Sequence, residues 1–594
     1  MDLKVIAIET YKNVTVTASC NKDGSDVVTF RSAEEFRKHT EALGPTLFVG
    51  FDFRRIGAYL MEAMRTGLDP YEVAVAVDGG TPAFRMLCCP SVFAFFDLKE
   101  GSEKTLPVGD SSLNRLRAMH GDSFVHIPLD SEFDCNSINI AVSHVLDLLE
   151  TTRQLFHARA ASFMAQRDVC LMFRLGTAGM KFAPYKLAEK VLAPGRAASK
   201  KADSVVVPEL NLSREFGDLG NRFTDPKSIR KDGSFGFDIS YQGITLRYGD
   251  GGLHGALDGF RGRGLFLLID VSSMYPTIIR SYDLCPASVD RTMFGNLLDR
   301  RLEAKAAGDS SASSLKLILN SAYGAMRAEY SKLYDPMKAR SVCIHGQMLI
   351  SALIQAVESG TRLVQVNTDG ILVEVLNAEN LEAVKEAVKG WEAQTGLQVE
   401  IEEYEECIQR DVSTYMLRAA DGHIKARGAL KESSDWDCDG EIIARAARRY
   451  LLEGIPVETT VSGETSFRAF QLVRTVSAVE KTFYFDGHEL EDTVVRIFAA
   501  SEGSRLVVGK SDGTTSNVSG TPAVLQLFNG PVTGQPVPEW VDRAWYVEKA
   551  KELVRSVETG SVRKKQKLIS ELAISAPKYR ALDLRIVDGH LVIA

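Results

Sequence analysis

Two aspartates in this sequence stand where a carboxylate could hold a hard cation. Asp270 closes the apolar run 265–269 in GLFLLIDVSSMYPTII, and such a run is the signature of a strand buried on both faces. A carboxylate at the tip of a buried strand suits a metal platform, and it suits equally a cap on the turn that follows. Asp369 stands in TRLVQVNTDGILVEV, where two β-type runs flank Asn-Thr-Asp-Gly. An Asp-Gly pair between alternating apolar residues predicts a hairpin with Asp369 at or beside its tip. Backbone preference alone also favours Asp-Gly in such turns.

A third stretch, SSLKLILNSAYGAM, puts Lys316, Asn320 and Tyr323 at i, i+4 and i+7, on one face of a helix. A cation, an amide and an aromatic ring on one face suit a triphosphate and a base pair. The alternative is an amphipathic helix with a stray glycine. That glycine, Gly324, costs the helix roughly 1 kcal/mol against Ala and permits close backbone approach. Just upstream, FGNLLDRRLEAKAAG places Arg301 and Lys305 four apart on one helical face. A solvated basic face has the same pattern.

These residues need a scaffold, and the chain is long enough for several. Its 594 residues exceed one hydrophobic core, and a prior of roughly 150 residues per domain gives about three to five domains. Composition is that of a globular protein, 45% hydrophobic and 25% charged. The net charge of −8 and pI near 5.8 weigh mildly against a nucleic-acid enzyme, although a basic cleft can coexist with acidic outer faces. Nine cysteines without a C-x-x-C pair indicate reduced intracellular thiols and no structural zinc. No signal pattern and no apolar stretch of ~18 residues is present, so no membrane span is expected. Short apolar runs (LKVIAI, TLFVGF) alternate with helical patterns over 1–165, an α/β layout, and EFDCNSINIAVSHVLDLLETTRQLFHARA reads as one long helix. The stretch VDRAWYVEKAKELVRSVETG near the end is helical again.

In order, spacing and content these stretches resemble the three polymerase motifs of family B DNA polymerases. Asp270-Val271-Ser272-Ser273-Met274-Tyr275-Pro276 resembles D-x-x-S-L-Y-P, with Met for Leu. Lys316 to Gly324 matches K-x-x-x-N-S-x-Y-G in full, and Asn367-Thr368-Asp369-Gly370 resembles D-T-D-S. The run 270–375 is similar to polymerases carried by bacteriophages and prophages. The resemblance covers most of the chain and is strongest over about 245–430.

The resemblance implies a mixed α/β, multidomain right hand. An exonuclease-like domain of RNase H type would span 1–165 and a connecting region 166–255. The palm would span 256–285 and 326–465, with fingers at 286–325 and a thumb at 466–594. It implies a nucleotidyltransferase that adds dNTPs to a primer–template. Asp270, Asp369 and the Val271 carbonyl would hold two Mg²⁺ ions, with Mn²⁺ a possible substitute. Ser273, Met274, Tyr275, Arg301, Lys305, Lys316 and Asn320 would bind the nucleotide, with Tyr275 beneath the incoming sugar. Asn320 and Tyr323 would line the nascent base pair, and Tyr323 and Gly324 would contact the DNA. Tyr248, Gly251 and Gly252 occupy the place of a Y-x-G-G template-strand element, with a plain Gly-rich turn as the alternative, and Lys425 and Arg427 that of a basic primer-strand element. The basic run 563–567 suits a thumb surface or a charged loop. Location in the cytoplasm of a bacterial host cell would follow.

The chain departs from the family at two places. Asn367 stands where the first Asp of D-T-D-S is usual, which removes one charge. The exonuclease carboxylates are replaced by Ala7, Gly57 and Leu148, while Glu9, Asp52, Asp147 and Glu150 remain nearby; a fold kept without proofreading is expected, with no exonuclease residues. Two other readings remain: a DNA-binding scaffold with a decayed palm, and a primase-polymerase.

Overall fold

The computed structural model describes residues 2–82, 93–99, 112–197, 201–476, 480–510, 513–560, 584–587 and 590–593. The basic run 563–567 lies outside the described residues. The fold is mixed α/β and multidomain. One compact unit comprises Met1–Ala183, Ser433–Ile442 and Val461–Tyr546, and the other Pro184–Glu432, Ile443–Thr460 and Val547–Ala594. The segment 466–594, expected as one thumb region, is therefore divided. Its strands enclose a core of their own, with Leu472, Val495, Ile497, Leu506 and Leu525, within the first unit. Its helix Arg543–Thr559 runs on into the second, where Lys551 pairs with Glu458 at 2.7 Å. No helix among the described residues is long and apolar enough to cross a membrane.

The first unit opens with β1 (Asp2–Tyr11), β2 (Val14–Asn21), β3 (Val28–Phe30), β4 (Thr46–Gly50) and β5 (Ala94–Asp97), in the sheet order β3-β2-β1-β4-β5. β1, β2 and β3 pair antiparallel, while β4 runs parallel to β1 and β5 parallel to β4. Alternation in the apolar runs sends Ile6, Phe48 and Phe95 to one face. There they meet Phe36, Met61 and Met64 from the helices Ala33–Ala42 and Ala58–Thr66. The expected long helix begins only at Ile138. Before it, Asp134 Oδ1 accepts from the Asn136 and Ser137 amides at 3.0 and 2.8 Å, and this turn stops the helix from extending backward. It ends at Ala158, and a second helix follows over Ala160–Met172.

The second unit is built on β6 (Gly236–Tyr241), β7 (Ile244–Gly249), β8 (His254–Ala256), β9 (Phe260–Ser272), β10 (Thr361–Asn367), β11 (Gly370–Val375), β12 (Gln398–Asp411), β13 (Thr414–Arg418) and β14 (Ile424–Arg427). They form one antiparallel sheet in the order β14-β13-β12-β9-β11-β10-β8-β7-β6. The region 166–255, expected as a connection, therefore supplies β6, β7 and the start of β8. The sheet's core gathers Phe266, Val364, Leu372, Tyr404 and Leu417. The helix Pro336–Val357 is buried along most of its length, as its apolar sequence requires, and starts where Asp335 accepts from the Lys338 amide at 3.1 Å.

Glu9, on β1, supplies a test of the first unit. Burial and then the nearby Asp78 push its carboxyl up to about 7 from the ordinary 4.5. A raised acid favours the folded state below its unfolded value, and that stability is lost as pH rises through about 7. Glu9→Gln should therefore slow amide hydrogen exchange in β1 and β2 relative to wild type at pH 8, and leave it unchanged at pH 4. Equal protection at pH 8 would show that Glu9 carries no buried-charge cost.

Candidate active site

The two aspartates meet because β9 pairs with β11. Asp270 lies in register with Gly370 on one side and with Glu400 of β12 on the other. The Asp369 carbonyl accepts from the Val271 amide at 2.8 Å, so the two carboxylate-bearing residues flank a single strand crossing. Gly370 makes the approach possible. A Cβ there would lie 2.9 Å from Asp270 Oδ1 and 3.0 Å from the Ile269 carbonyl oxygen.

The hairpin tip is one residue earlier than the Asp-Gly signal suggests. Asn367 pairs with Gly370, so Thr368 and Asp369 form the turn, and Gly370 belongs to the strand. Thr368 takes φ +49°, a left-handed conformation that a β-branched residue adopts only under constraint. The constraint comes from 252–254. The Thr368 amide donates to the Leu253 carbonyl at 2.9 Å, and its hydroxyl lies 3.1 Å from His254 Nε2. Burial holds His254 below the usual imidazole range. Gly252, at φ +110°, leaves 3.0 Å between a would-be Cβ and Thr368 Cγ2.

This changes the reading of the glycine-rich segment. Tyr248, expected to face DNA, is buried: its hydroxyl lies 2.9 Å from Ser351 Oγ, and its ring stacks on Phe237 at 4.9 Å. Gly252 braces the Thr368 turn, and only Gly251 is exposed. The apolar tyrosine and the tight turn serve the scaffold of the site.

Charge is concentrated at the paired strands. Burial first, and then the adjacent Asp369, push the Asp270 carboxyl up to about 6, with Lys425 pulling the other way. The Asp369 carboxyl is raised chiefly by loss of solvent, and Lys316 opposes the shift. Lys316 belongs to the helix Ser311–Arg327, which also carries Asn320 and Tyr323 as expected. Tyr323 packs on Tyr275, the ring centroids 4.5 Å apart. Ser273, at φ +54°, precedes the helix Met274–Ser281, and its hydroxyl is buried without a partner. Met274 is buried against Gly346, where a Cβ would sit 3.1 Å from its Cε and 3.3 Å from Tyr275 Cε1. Met274 can therefore offer a ligand little beyond its main chain. Asn320 and Gly324 are exposed, and a Cβ on Gly324 would meet nothing. The close approach expected there is not to another part of this chain.

Of the remaining cations, Arg301 is enclosed, Lys305 and Lys425 are paired, and Arg427 is exposed. Arg301, on the helix Arg291–Ala306, is 6% exposed, and its Nε and Nη1 have no partner. Lys305 pairs with Glu400 and reaches Ser272 Oγ at 3.1 Å. Lys425 is held by both Glu402 oxygens at 2.9 Å, and Arg427 is exposed at the sheet edge. Glu400 and Glu402 are the residues that sequence reading missed. They alternate along β12 in the QVEIEEYEE stretch, where a period of two put both on the face that carries Asp270.

In the first unit, Ala7 and Leu148 are buried, and a Cβ on Gly57 would lie 2.5 Å from the Phe53 ring. Asp52 pairs with Arg55 at 2.7 Å and Lys99 at 3.1 Å, Asp147 with Arg117 at 3.6 Å, and Glu150 with Arg153. Among the described residues, no group of three or more His, Cys, Asp or Glu is arranged to hold a metal.

No protein-family model matches the sequence. The DNA polymerase alpha catalytic subunit of Oryza sativa subsp. japonica is 27% identical over 139 residues, covering 18% of this chain and 9% of that protein. The chain thus matches less than a tenth of the length of this curated relative. The structure of the family B DNA polymerase from the hyperthermophilic archaeon Pyrobaculum calidifontis aligns with 95% of this chain and covers 79% of its own, with TM-score 0.43 and 14% identity. The similarity to DNA polymerases is distant.

The raised Asp270 carboxyl predicts a pH-dependent cost. In the absence of divalent cations its contribution to stability is present below its ordinary value of 3.8 and is lost as pH rises through about 6. Asp270→Asn should raise the thermal midpoint at pH 8 and leave it nearly unchanged at pH 4. An unchanged midpoint at pH 8 would show that burial and Asp369 impose no cost on a charged Asp270.

Proposed function

We propose that this chain is a template-directed DNA polymerase that extends a primer 3′ end with dNTPs, acting in phage or prophage DNA replication or repair without proofreading. The observation that carries the reading is the placement of Asp270 and Asp369 on either side of the β9–β11 crossing, with Lys316, Tyr275 and Tyr323 gathered beside them. Two hard oxygen donors, of which Asp270 is raised first by burial and then by Asp369, fit Mg²⁺. Magnesium favours one or two carboxylates plus substrate phosphates over a full protein cage, and a two-aspartate set suits that habit. Asp270, Asp369 and the Val271 carbonyl would hold the ions. Two bound Mg²⁺ ions would supply activation of the 3′-hydroxyl and neutralisation of charge on the triphosphate.

The chain's own residues would do the positioning on which phosphoryl transfer depends. Lys316 and Arg301 would contact triphosphate oxygens, with Arg301 bringing donors that are otherwise unmet. The Tyr275–Tyr323 pair would form the floor beneath the incoming nucleotide. Asn320 and Gly324 would line the nascent base pair from an open helical face. Arg427 would meet primer phosphates. The order of β1–β5 fits an RNase H-like domain, and the separate pairing of Asp52, Asp147 and Glu150 supports the loss of exonuclease chemistry.

Primer extension with Mg²⁺ and dNTPs tests this reading. Wild type should copy the template. Asp369→Asn should lose at least about a hundredfold in rate, since a metal contact is worth several kcal/mol and each 1.4 kcal/mol is tenfold. Wild type that binds primer–template yet adds no nucleotide, with Mn²⁺ unable to restore addition, would overturn the proposal. Primer shortening without dNTPs, unaffected by Asp270→Ala, would overturn the absence of proofreading.

A further inference from the structure

In the second unit, Arg301 and Lys305 on one helix face a shared carboxylate from the sheet, Glu400. Arg301 and Lys305 are one turn apart on Arg291–Ala306. Glu400 is the acid that acts on both: it pairs with Lys305, and its field favours the charged form of Arg301. Its hydrogen bonds, however, run to Lys305 and Ser272, whose hydroxyl donates at 2.8 Å. Ser272 in turn accepts from Lys305 at 3.1 Å, closing a three-membered network. Arg301 is left buried with Nε and Nη1 unpartnered. A buried guanidinium with unmet donors lacks an anionic oxygen, and one carboxylate already in use cannot supply it. This face is therefore short of acceptors. A polyphosphate would supply several at once, because its oxygens are acidic, numerous and closely spaced.

We infer that Glu400, with Ser272, is a latch that holds Lys305 back from the triphosphate, so that nucleotide binding requires Lys305 to exchange a carboxylate for phosphate oxygens. The inference rests on the nucleotide-binding reading of this site and adds a residue that opposes binding. The latch stands at the right place, since Glu400 is in register with Asp270 and Ser272 is two residues further along β9. It is also weak enough to open. The Lys305 and Glu400 side chains are 39% and 53% exposed, and exposed pairs of this kind contribute little. The effect on nucleotide affinity is therefore about two- to fivefold.

The test is a double-mutant cycle read by single-turnover incorporation of one dNTP on a primer–template, giving the apparent Kd for dNTP. Wild type, Glu400→Gln, Lys305→Ala and the double variant are compared. Glu400→Gln should tighten the apparent Kd about two- to fivefold, Lys305→Ala should weaken it, and the double variant should match Lys305→Ala. Tightening by Glu400→Gln that persists undiminished without Lys305 would mean a general charge effect and would overturn the latch. So would an unchanged or weakened Kd in Glu400→Gln alone. If wild type adds no nucleotide, the polymerase reading has failed separately. The same four proteins are then titrated calorimetrically with inorganic tripolyphosphate: non-additivity in that cycle supports the latch, and additivity overturns it.

Discussion

The burial of two neighbouring carboxylates, Asp270 near the end of β9 and Asp369 in the β10–β11 turn, is the constraint around which the site in the second unit is organised. The Val271 amide ties the turn residue Asp369 to β9, which keeps the two aspartates neighbours. The cost appears as the raised Asp270 carboxyl, set first by burial and then by Asp369, and a bound cation would lower it. Nearly every feature nearby serves to keep the pair in place. Gly370 lets the strands close, and the Val271–Asp369 hydrogen bond fixes the register. Two like charges held out of solvent must be kept together by the scaffold around them.

That scaffold is visible as a chain of supports. Thr368 is held in a left-handed conformation by Leu253, His254 and the space left by Gly252. The strand leading to that segment is anchored by Tyr248 on Ser351, and Gln347 bonds to Gly249 from the same helix. One face of that helix, at Gly346, admits Met274 and Tyr275. The buried helix Pro336–Val357 thus braces both the turn that bears Asp369 and the aromatic pair beside it. Polar side chains inside this apolar helix (Gln347, Ser351) are buried because each is committed to such a contact.

Much of this was legible in the residues. Apolar periodicity placed β1, β4 and β9, and i, i+4, i+7 spacing placed Lys316, Asn320 and Tyr323 on one helix, because both signals are local. What failed depended on long-range pairing. The segment before β9 carries glycines and polar residues that read as a connection, yet β6 and β7 form a local hairpin that joins the sheet through β8, whose partner β10 is more than 100 residues away, as in Gln365 with Ala256. Tyr248 was expected at DNA from its resemblance to a Y-x-G-G element, and its burial depends on a helix about a hundred residues away, through Ser351. Asp-Gly looked like the turn because a glycine required by cross-strand crowding resembles one required by positive φ. Glu400 and Glu402 were hidden in an acidic strand until pairing with β9 set them beside Asp270.

The central claim is that Asp270 and Asp369 together form a metal centre completed by substrate. Electron paramagnetic resonance of Mn²⁺ tests it most directly, with a dideoxy-terminated primer–template and the next matching dNTP present. Two bound Mn²⁺ per wild-type chain, and a lower stoichiometry in both Asp270→Asn and Asp369→Asn, is the predicted result. Equal stoichiometry in wild type and both variants would place the metal elsewhere and contradict the account.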